Sequence, residues 1–287
     1  MKKFFNCLLS LILCLISISN ITVISAKDES SRYEEKKQFD LNGFSLSLEN
    51  NTDKIIINAY ERSTEILETS KAFESFLNDN PEIEKEISRN IKNGKQLIAI
   101  SYNRVYLKEI NEYGIIHEEP MTNAEYESMK MSRANPSKFK NLTLSLQIYK
   151  DSWNPGYADV QEQAVWSSGS GETGPSNAND DSMALTVPAN YTINTHGMTG
   201  VATSPAFISR STNGVGYRFR ENTGTQTLYT GCNYKAYTGQ RLYVGEYVHT
   251  WSSAQISWGF SVGGPSFSVS GTSNYWDLAC DITTYSD

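Results

Sequence analysis

The sequence has little of what most catalytic or nucleic-acid-binding proteins require. Its 287 residues include only three histidines and four cysteines, and Asp plus Glu outnumber Lys plus Arg by 32 to 25. It contains no H-E-x-x-H, nucleophile elbow, Walker loop or Cys-x-x-Cys motif. The acidic balance and the lack of basic clusters argue against nucleic acid and an anionic membrane surface as partners. We therefore assign no catalytic or cofactor-binding residue, and whether the protein is an enzyme stays open.

Long apolar runs are also missing, except at the N-terminus. Two lysines precede the apolar stretch Cys7–Ile18, and Ala26 offers a small residue for cleavage. This pattern predicts a signal peptide over residues 1–26, cleaved near Ala26, and hence secretion. The stretch is shorter than the roughly 20 residues of a membrane-spanning helix, which argues against a signal anchor. No later stretch predicts a transmembrane helix.

Cleavage leaves only two cysteines, Cys232 and Cys280. In an oxidising extracellular setting, a pair of this kind most simply forms one disulfide. The alternative is that one thiol acts as a nucleophile with His249, but no flanking residues resemble a cysteine-protease site. The sequence therefore predicts a Cys232–Cys280 disulfide.

Charged and aromatic residues are distributed unevenly along the mature chain. Most charged residues lie before residue 140, whereas all five tryptophans and most glycines lie after it. We place a boundary at Asn135-Pro136-Ser137, which separates a charged α+β region (27–136) from a β domain (137–287). The first region is interpreted as an ordinary N-terminal domain. The alternative is a propeptide removed near Met131–Lys140.

Helix signals are confined to the first region. Asn80 is a candidate N-cap, Pro81 suits the first helical position, and Gly94 suits the end of the same helix. Thr122 and Glu125 have the spacing of a capping box, which predicts a further helix. The region is therefore expected to mix helices with strands.

The second region is nearly all strand and turn. About eight or nine short alternating segments predict an antiparallel arrangement. The fold class predicted for the whole chain is mostly β, with a C-terminal antiparallel β-sandwich or barrel preceded by a small α+β region.

One stretch of the second region, Trp251–Trp276, has a particularly regular pattern. Apolar residues occupy every second position before and after a Gly263-Gly264-Pro265 turn: Ala254, Ile256, Trp258, Phe260 and Val262, then Phe267 and Val269. Period-2 alternation on both sides of a turn predicts a hairpin with one apolar and one Ser-rich face. We expect Trp258 and Phe260 to be buried in the sandwich.

Three consecutive residues with oxygen-bearing side chains are candidates for a metal site. Asn179, Asp180 and Asp181 could supply oxygen ligands to Ca²⁺. The segment lacks the glycine and distal glutamate of an EF-hand loop, and Asx side chains also satisfy turn backbones. No other metal or cofactor is predicted.

Three classes of function remain open. The aromatic content of the second region, with no catalytic motif, favours non-catalytic binding of an extracellular glycan or protein surface. The first alternative is a secreted pore-forming toxin or bacteriocin-like protein using the 251–276 hairpin. Its second arm weakens after Val269, and a membrane strand needs about 9–11 residues. The second alternative is a hydrolase with an unrecognised site near His196 or His249.

Overall fold

A computed structural model describes residues 32–41, 44–48, 55–59, 64–132, 139–151, 156–168, 173–177, 179–188, 191–200, 206–221, 223–224, 227–235, 239–252, 254–271 and 274–286. The predicted signal peptide (1–26) and the linker Asn135-Pro136-Ser137 lie outside these residues.

Within these ranges the helices are α1 Thr64–Asp79, α2 Pro81–Lys92 and α3 Asn123–Ser132. The strands are β1 Glu34–Asp40, β2 Phe44–Leu48, β3 Ile55–Ala59, β4 Lys95–Glu112, β5 Ile115–Pro120, β6 Phe139–Asp151, β7 Tyr157–Ser168, β8 Asp180–Thr186, β9 Ile193–Thr199, β10 Ala206–Arg210, β11 Gly214–Arg220, β12 Thr227–Lys235, β13 Gly239–Thr250, β14 Gln255–Ser261, β15 Gly264–Ser270 and β16 Tyr275–Ser286.

Two antiparallel sheets form the body of the protein. The first has the order β1-β4-β6-β7-β12-β9, with β5 also paired to β4, and the second has the order β10-β11-β8-β13-β16. Inward-facing side chains of both sheets share one apolar core, with Trp166 and Leu144 from the first sheet and Tyr247 and Leu278 from the second. Neither sheet closes into a barrel. The predicted mostly β, antiparallel fold is confirmed.

Different elements cover the outer faces of the two sheets. Helices α1 and α2 pack over the first sheet through a second apolar cluster that includes Phe73, Ile83, Ile87 and Tyr149. The outer face of the second sheet is covered by the hairpin β14–β15. None of the helices in the described part of the chain has the length and apolarity needed to cross a bilayer.

The charged region and the β domain are joined in one sheet. Strand β4, which precedes the compositional boundary, pairs with β6, which follows it, from Lys95–Asp151 to Lys108–Phe139. Strand β1 pairs in turn with the other edge of β4. Whether the first region is removed in the mature protein stays a prediction, but its removal would strip the partner from β6.

The helix ends follow the sequence signals with one exception. Gly94 has a positive φ of 83° at the end of α2, a conformation that glycine adopts without strain. At α3 the Glu125 carboxylate accepts from the Thr122 backbone N–H at 2.7 Å, and Glu125 N–H donates to Thr122 Oγ1 at 3.3 Å. The capping box is thus confirmed. Asn80 does occupy the predicted N-cap position of α2, but the expected side-chain cap was wrong, because its side chain bonds Phe76 and Arg104 and makes no cap hydrogen bond.

The predicted disulfide is not formed, since Cys232 and Cys280 are both free and buried. Cys280, on β16, lies opposite β4 with its Sγ 3.1 Å from Ser101 Oγ. Cys232 lies on β12, three strands further along the first sheet. At about 4.8 Å per strand this offset is about 14 Å. A disulfide needs Cα atoms within about 7 Å. Burial raises the pKa of Cys280 to about 12, so its thiol stays protonated.

Glu162 is a carboxyl group placed inside the sandwich core. It is fully buried, neither of its oxygens has a hydrogen-bond partner in the described structure, and it lies against Gly245. Burial first, and repulsion from Glu246 second, raise the pKa of Glu162 well above its ordinary value. Its proton is therefore held more tightly in the folded than in the unfolded state.

We expect the free energy of unfolding to fall as pH rises above the ordinary carboxyl pKa of about 4.3, because the folded state then retains a proton that the unfolded state releases. Glu162→Gln should remove the part of this fall that Glu162 contributes, beside the parts from Glu221 and Glu246, whose pKa values burial also raises, and it should raise stability at pH 8 by about 1–3 kcal/mol. Urea unfolding at pH 5 and pH 8 measures both. A wild-type stability that rises over this interval, with the variant parallel to it, would contradict the assignment.

Candidate functional site

The hairpin β14–β15 lies flat on the outer face of the second sheet. Its apolar side chains share a cluster with residues of that sheet: Ala184, Val248, Ile256, Trp258 and Tyr275, with Phe260, Phe267 and Val269 at the edges. Trp258 is 7% exposed and Phe260 is half-buried. The predicted hairpin is confirmed, but its position is different. Trp258 and Phe260 lie outside the sandwich core, beneath a peripheral hairpin.

Two glycines of β11 provide space for the aromatic rings. A Cβ on Gly214 would lie 2.2 Å from Cδ1 of Phe260, and one on Gly216 would lie 2.6 Å from Cδ1 of Trp258. Trp258 Nε1 also donates to Ser182 Oγ at 2.6 Å. The hairpin thus fits a surface shaped for it, although among the described strands β14 and β15 pair only with each other.

The outward face of the hairpin is polar and uncharged. Gln255, Ser257 and Ser261 are exposed, and the Ser257 and Ser268 hydroxyls hydrogen-bond at 2.6 Å across the two strands. No Asp, Glu, Lys or Arg occurs between residues 251 and 274. The hairpin therefore has one apolar face and one neutral, water-compatible face.

The hairpin continues the register of the two strands that flank it. Strands β13 and β16 pair directly, ending at Thr250–Tyr275, and the hairpin begins at Gln255–Ser270. Thr250 and Gln255 are five residues apart on one arm, and Ser270 and Tyr275 are five residues apart on the other. Neither arm therefore carries an inserted residue. Trp251 N–H donates to Asn274 O at 3.4 Å, which adds one further step in the same register. The segment 239–286 therefore keeps one hairpin register, and it folds back on itself between Thr250 and Gln255 on one arm and between Ser270 and Tyr275 on the other.

A buried polar cluster lies at the base of the bend. One Asp181 oxygen accepts from Tyr247 Oη at 2.5 Å and His249 Nδ1 at 2.9 Å, and the other accepts from Thr250 N–H at 2.9 Å. The Thr250 hydroxyl donates to the Asp180 carbonyl at 2.7 Å. Since Thr250 is the last residue of β13, these bonds fix the point from which the hairpin bends.

Glu118 adds a second carboxylate to this cluster. It accepts from Lys140 Nζ at 2.6 Å and lies 4.0 Å from His249 Nε2. Glu221 is buried nearby, and burial followed by repulsion from Asp181 raises its pKa well above the ordinary value. Three carboxyl groups and one imidazole are thus enclosed beneath the bend. This enclosure favours a positional role over chemistry on a substrate.

No protein-family model and no curated protein matches the sequence. Among solved structures, the chain is similar to one described as "pH-induced modulation of Streptococcus parasanguinis adhesion by Fap1 fimbriae". The sequence identity is 11% and the TM-score is 0.26, and the match covers 49% of this chain and 80% of that one. It is also similar to a "Pore forming protein", with 8% identity and a TM-score of 0.25 over 61% of this chain and 95% of that one. Neither likeness carries an argument about function.

The structure does not bring the calcium candidates together. Asp180 lies 3.5 Å from Arg220, whereas Asp181 is on the opposite face of β8 and its oxygens are bonded within the core. Asn179 N–H donates to the Asn177 carbonyl at 3.1 Å. Among the described residues, no group of three or more His, Cys, Asp or Glu side chains is placed to hold a metal ion.

The two histidines considered for hydrolysis lie in different places. His249 is fully buried between Asp181 and Glu118, beyond the reach of a substrate. His196 is on β9, with its Nδ1 2.5 Å from Tyr217 Oη. The structure therefore does not assemble them into one site.

Aromatic residues of the β domain mostly fill the core. Trp166, Tyr234, Tyr243 and Tyr247 are fully buried, and among the residues described here no aromatic ring of the β domain is strongly exposed. The aromatic content that favoured surface binding is thus largely explained by packing. A polar cleft of about 260 Å³ beside α2, partly lined by the half-buried Tyr229, is the main exception.

Proposed function

We propose that the protein is a secreted pore-forming protein. In this proposal, β14–β15 leaves the outer face of the second sheet and straightens into line with β13 and β16. The observation that carries the proposal is that the β13–β16 pairs, ending at Thr250–Tyr275, and the β14–β15 pairs, beginning at Gln255–Ser270, share one register. A bend between two ladders that share one register can open without any change of the existing pairs, whereas a slip of one residue would exchange the two faces.

The straightened hairpin has the length of a membrane-spanning one. With the bend opened, residues 251–261 and 264–274 give eleven residues on each arm. A transmembrane β-strand needs about 9–11 residues. The second arm is then no longer too short for a membrane strand, because the residues of the bend join the two arms. The second arm extends beyond Val269 to Asn274.

The two faces of the hairpin suit lipid and water. Ile256, Trp258, Phe260, Phe267 and Val269 would face the acyl chains, and the Ser-rich face would line an aqueous pore. Backbone groups at both edges need partners within the bilayer, so several copies must pair edge to edge. The absence of charge over residues 251–274 removes the largest cost of insertion.

When the hairpin leaves the second sheet, its apolar face is exposed to water only until it enters the bilayer. Burial of Trp258 against the sheet contributes roughly 2–3 kcal/mol, and a similar amount is recovered when the ring enters lipid. Release in water is therefore opposed, and release at a bilayer is compensated. This asymmetry would let one protein be stable in solution and active at a membrane.

We expect the mature protein to release dye from phosphatidylcholine vesicles. Val269→Lys should slow release at least about tenfold, because a lysine on the lipid face near the midplane costs about 2–4 kcal/mol. Ser268→Lys, the matched control one residue away, faces the pore and should stay close to wild type. Fluorescence dequenching in both variants, beside circular dichroism to confirm folding, makes the measurement.

A second proposal, non-catalytic binding of an extracellular glycan, is supported by the cleft beside α2. Lys95 and Asn233 converge on Asp159 at 3.0 and 2.9 Å, and Arg89 lies over the Tyr229 ring at 5.9 Å. Polar groups beside an aromatic face suit a sugar ring. Retention on a glycan array with no dye release would favour this proposal over pore formation.

A further inference from the structure

An exposed apolar turn lies at the tip of the β4–β5 hairpin. We define the tip as residues 113–116. Tyr113 is 103% exposed, and Ile115 and Ile116 are 48% and 41% exposed. Ile115 and Ile116 are consecutive strand residues on opposite faces of the hairpin, so both faces of the tip present a large apolar side chain to water, whereas single exposed ones are normal.

The turn itself is strained for the residue that it carries. Tyr113 has a φ of 53° and Gly114 a φ of 82°. Turns with two positive φ values favour Asn-Gly, and a bulky residue in the first position is uncommon. Because the Tyr113 side chain is fully exposed, it gains no burial that would offset the cost of this positive φ. The fold alone therefore does not explain why a tyrosine is there.

The tip lies at the same end of the sandwich as the bend in the long hairpin. Ser101, midway along β4, contacts Cys280 of β16, whereas Glu118 of β5 accepts through its carbonyl from Trp276 Nε1 at 3.0 Å. Residues of β4 and β5 that lie nearer the tip are therefore beside residues of β16 that lie nearer its first residue, Tyr275. His117 stacks on Trp251 in the bend, with ring centroids 4.5 Å apart.

The tip therefore extends in the direction that the straightened hairpin would take. From the Glu109–Glu118 pair to the end of the ladder at Glu112–Ile115 there are three further pairs. At about 3.3 Å per residue the tip extends about 10 Å beyond Glu118. A bilayer that receives the hairpin at the bend would meet this tip first.

From this juxtaposition we propose that residues 113–116 are the membrane-contact site of the protein, and that the partner is a bilayer with zwitterionic headgroups. The inference rests on the proposed function. Tyr113, at the turn, has an apolar ring and a polar end that suit the headgroup level, and Ile115 and Ile116, on the strand behind it, add apolar surface at the same interface. Glu112 and Glu119 flank the tip and no Lys or Arg lies between them, which disfavours an anionic surface.

The test separates docking from insertion. The full chain carries Gly214→Cys and Phe260→Cys, oxidised so that the hairpin stays on the sheet. Co-flotation with phosphatidylcholine vesicles is then compared with and without Tyr113→Asn, Ile115→Thr and Ile116→Thr. Asparagine suits the positive φ and threonine suits a strand, so these changes preserve the fold. Met131→Ser, which removes an exposed apolar side chain elsewhere, is the matched control.

We expect vesicle binding by the tethered protein to weaken at least about tenfold in the tip variant and to be unchanged in the control. Equal binding by tip variant and parent, binding only to anionic vesicles, or vesicle-independent dimers lost with the tip would each overturn the inference. Tip-dependent binding with no dye release by the untethered protein would support the contact site while refuting pore formation. Dye release with tip-independent binding would support pore formation while refuting the contact site.

Discussion

Dye release should stop when the hairpin is tied to strand β11 by an engineered disulfide. A Cβ on Gly214 would lie 2.4 Å from Phe260 Cγ, and the Phe260 Cβ is one bond beyond that atom. The two Cβ atoms therefore lie within about 4 Å, which suits a disulfide. Gly214→Cys with Phe260→Cys should thus form a bond in the folded-back state without moving the backbone.

The expected effect is large, because the tether removes the inserted state altogether. We expect oxidation to reduce the rate of dye release by at least about a hundredfold, and reduction to restore it in the same molecule. Because the reduced and oxidised forms both lack the Phe260 ring, comparing them controls for the loss of that ring. The native Cys232 and Cys280 are buried, so the oxidant should reach the engineered pair first. Equal release by the oxidised and reduced forms would show that the hairpin does not need to leave the sheet.

Removing the charged N-terminal region should abolish folding of the β domain. Residues 139–287 alone would lack β4, which pairs with β6 along nearly its whole length. They would also lose Val105 and Leu107, which are fully buried in the sandwich core. Each such side chain contributes roughly 1.5–3 kcal/mol. With the lost backbone pairing, this sum reaches the about 5–15 kcal/mol that stabilises a typical domain.

Circular dichroism and thermal unfolding of residues 139–287, compared with 27–287, measure this effect. We expect the shorter chain to be poorly soluble and to lack a cooperative transition. If instead it unfolds cooperatively near the midpoint of the longer chain, β4 is dispensable. The propeptide alternative would then gain support.

The sequence predicted those features that depend on neighbouring residues. Alternation alone identified the hairpin between Ala254 and Val269, and Thr122 with Glu125 identified the start of α3. These patterns are local, because side-chain period and capping involve residues a few positions apart. Asn80 takes the N-cap position, but its side chain does not cap the helix, because Arg104, distant in sequence, donates to the same side-chain oxygen.

The position of the hairpin could not be predicted, because it depends on distant strands. Apolar alternation is equally consistent with a strand inside the sandwich and with one laid on its surface. Gly214 and Gly216 decide between them by leaving space for Phe260 and Trp258. The Gly-x-Gly spacing within β11 was the available signal, but its partner rings lie some forty residues further along the chain.

The buried cluster at the bend was missed for a related reason. Asp181 was considered only as a calcium ligand, and His249 only as the partner of a cysteine nucleophile or as a hydrolase residue. Their pairing at 2.9 Å requires β8 and β13 to be neighbours, which sequence spacing does not reveal. The disulfide prediction failed in the same way, because two cysteines in opposite sheets need not face each other.

Lipid-resident quenchers test the central claim most directly. Single cysteines are placed from Gln255 to Ser261 in a background with Cys232→Ala and Cys280→Ala, and each is labelled with an environment-sensitive fluorophore. On phosphatidylcholine vesicles carrying acyl-chain nitroxides, we predict strong quenching at 256, 258 and 260 and little at 255, 257 and 259. This alternation is the signature of a strand with one face in lipid and one in water. Uniform quenching, or fluorescence unchanged from the protein in solution, would contradict insertion of the hairpin.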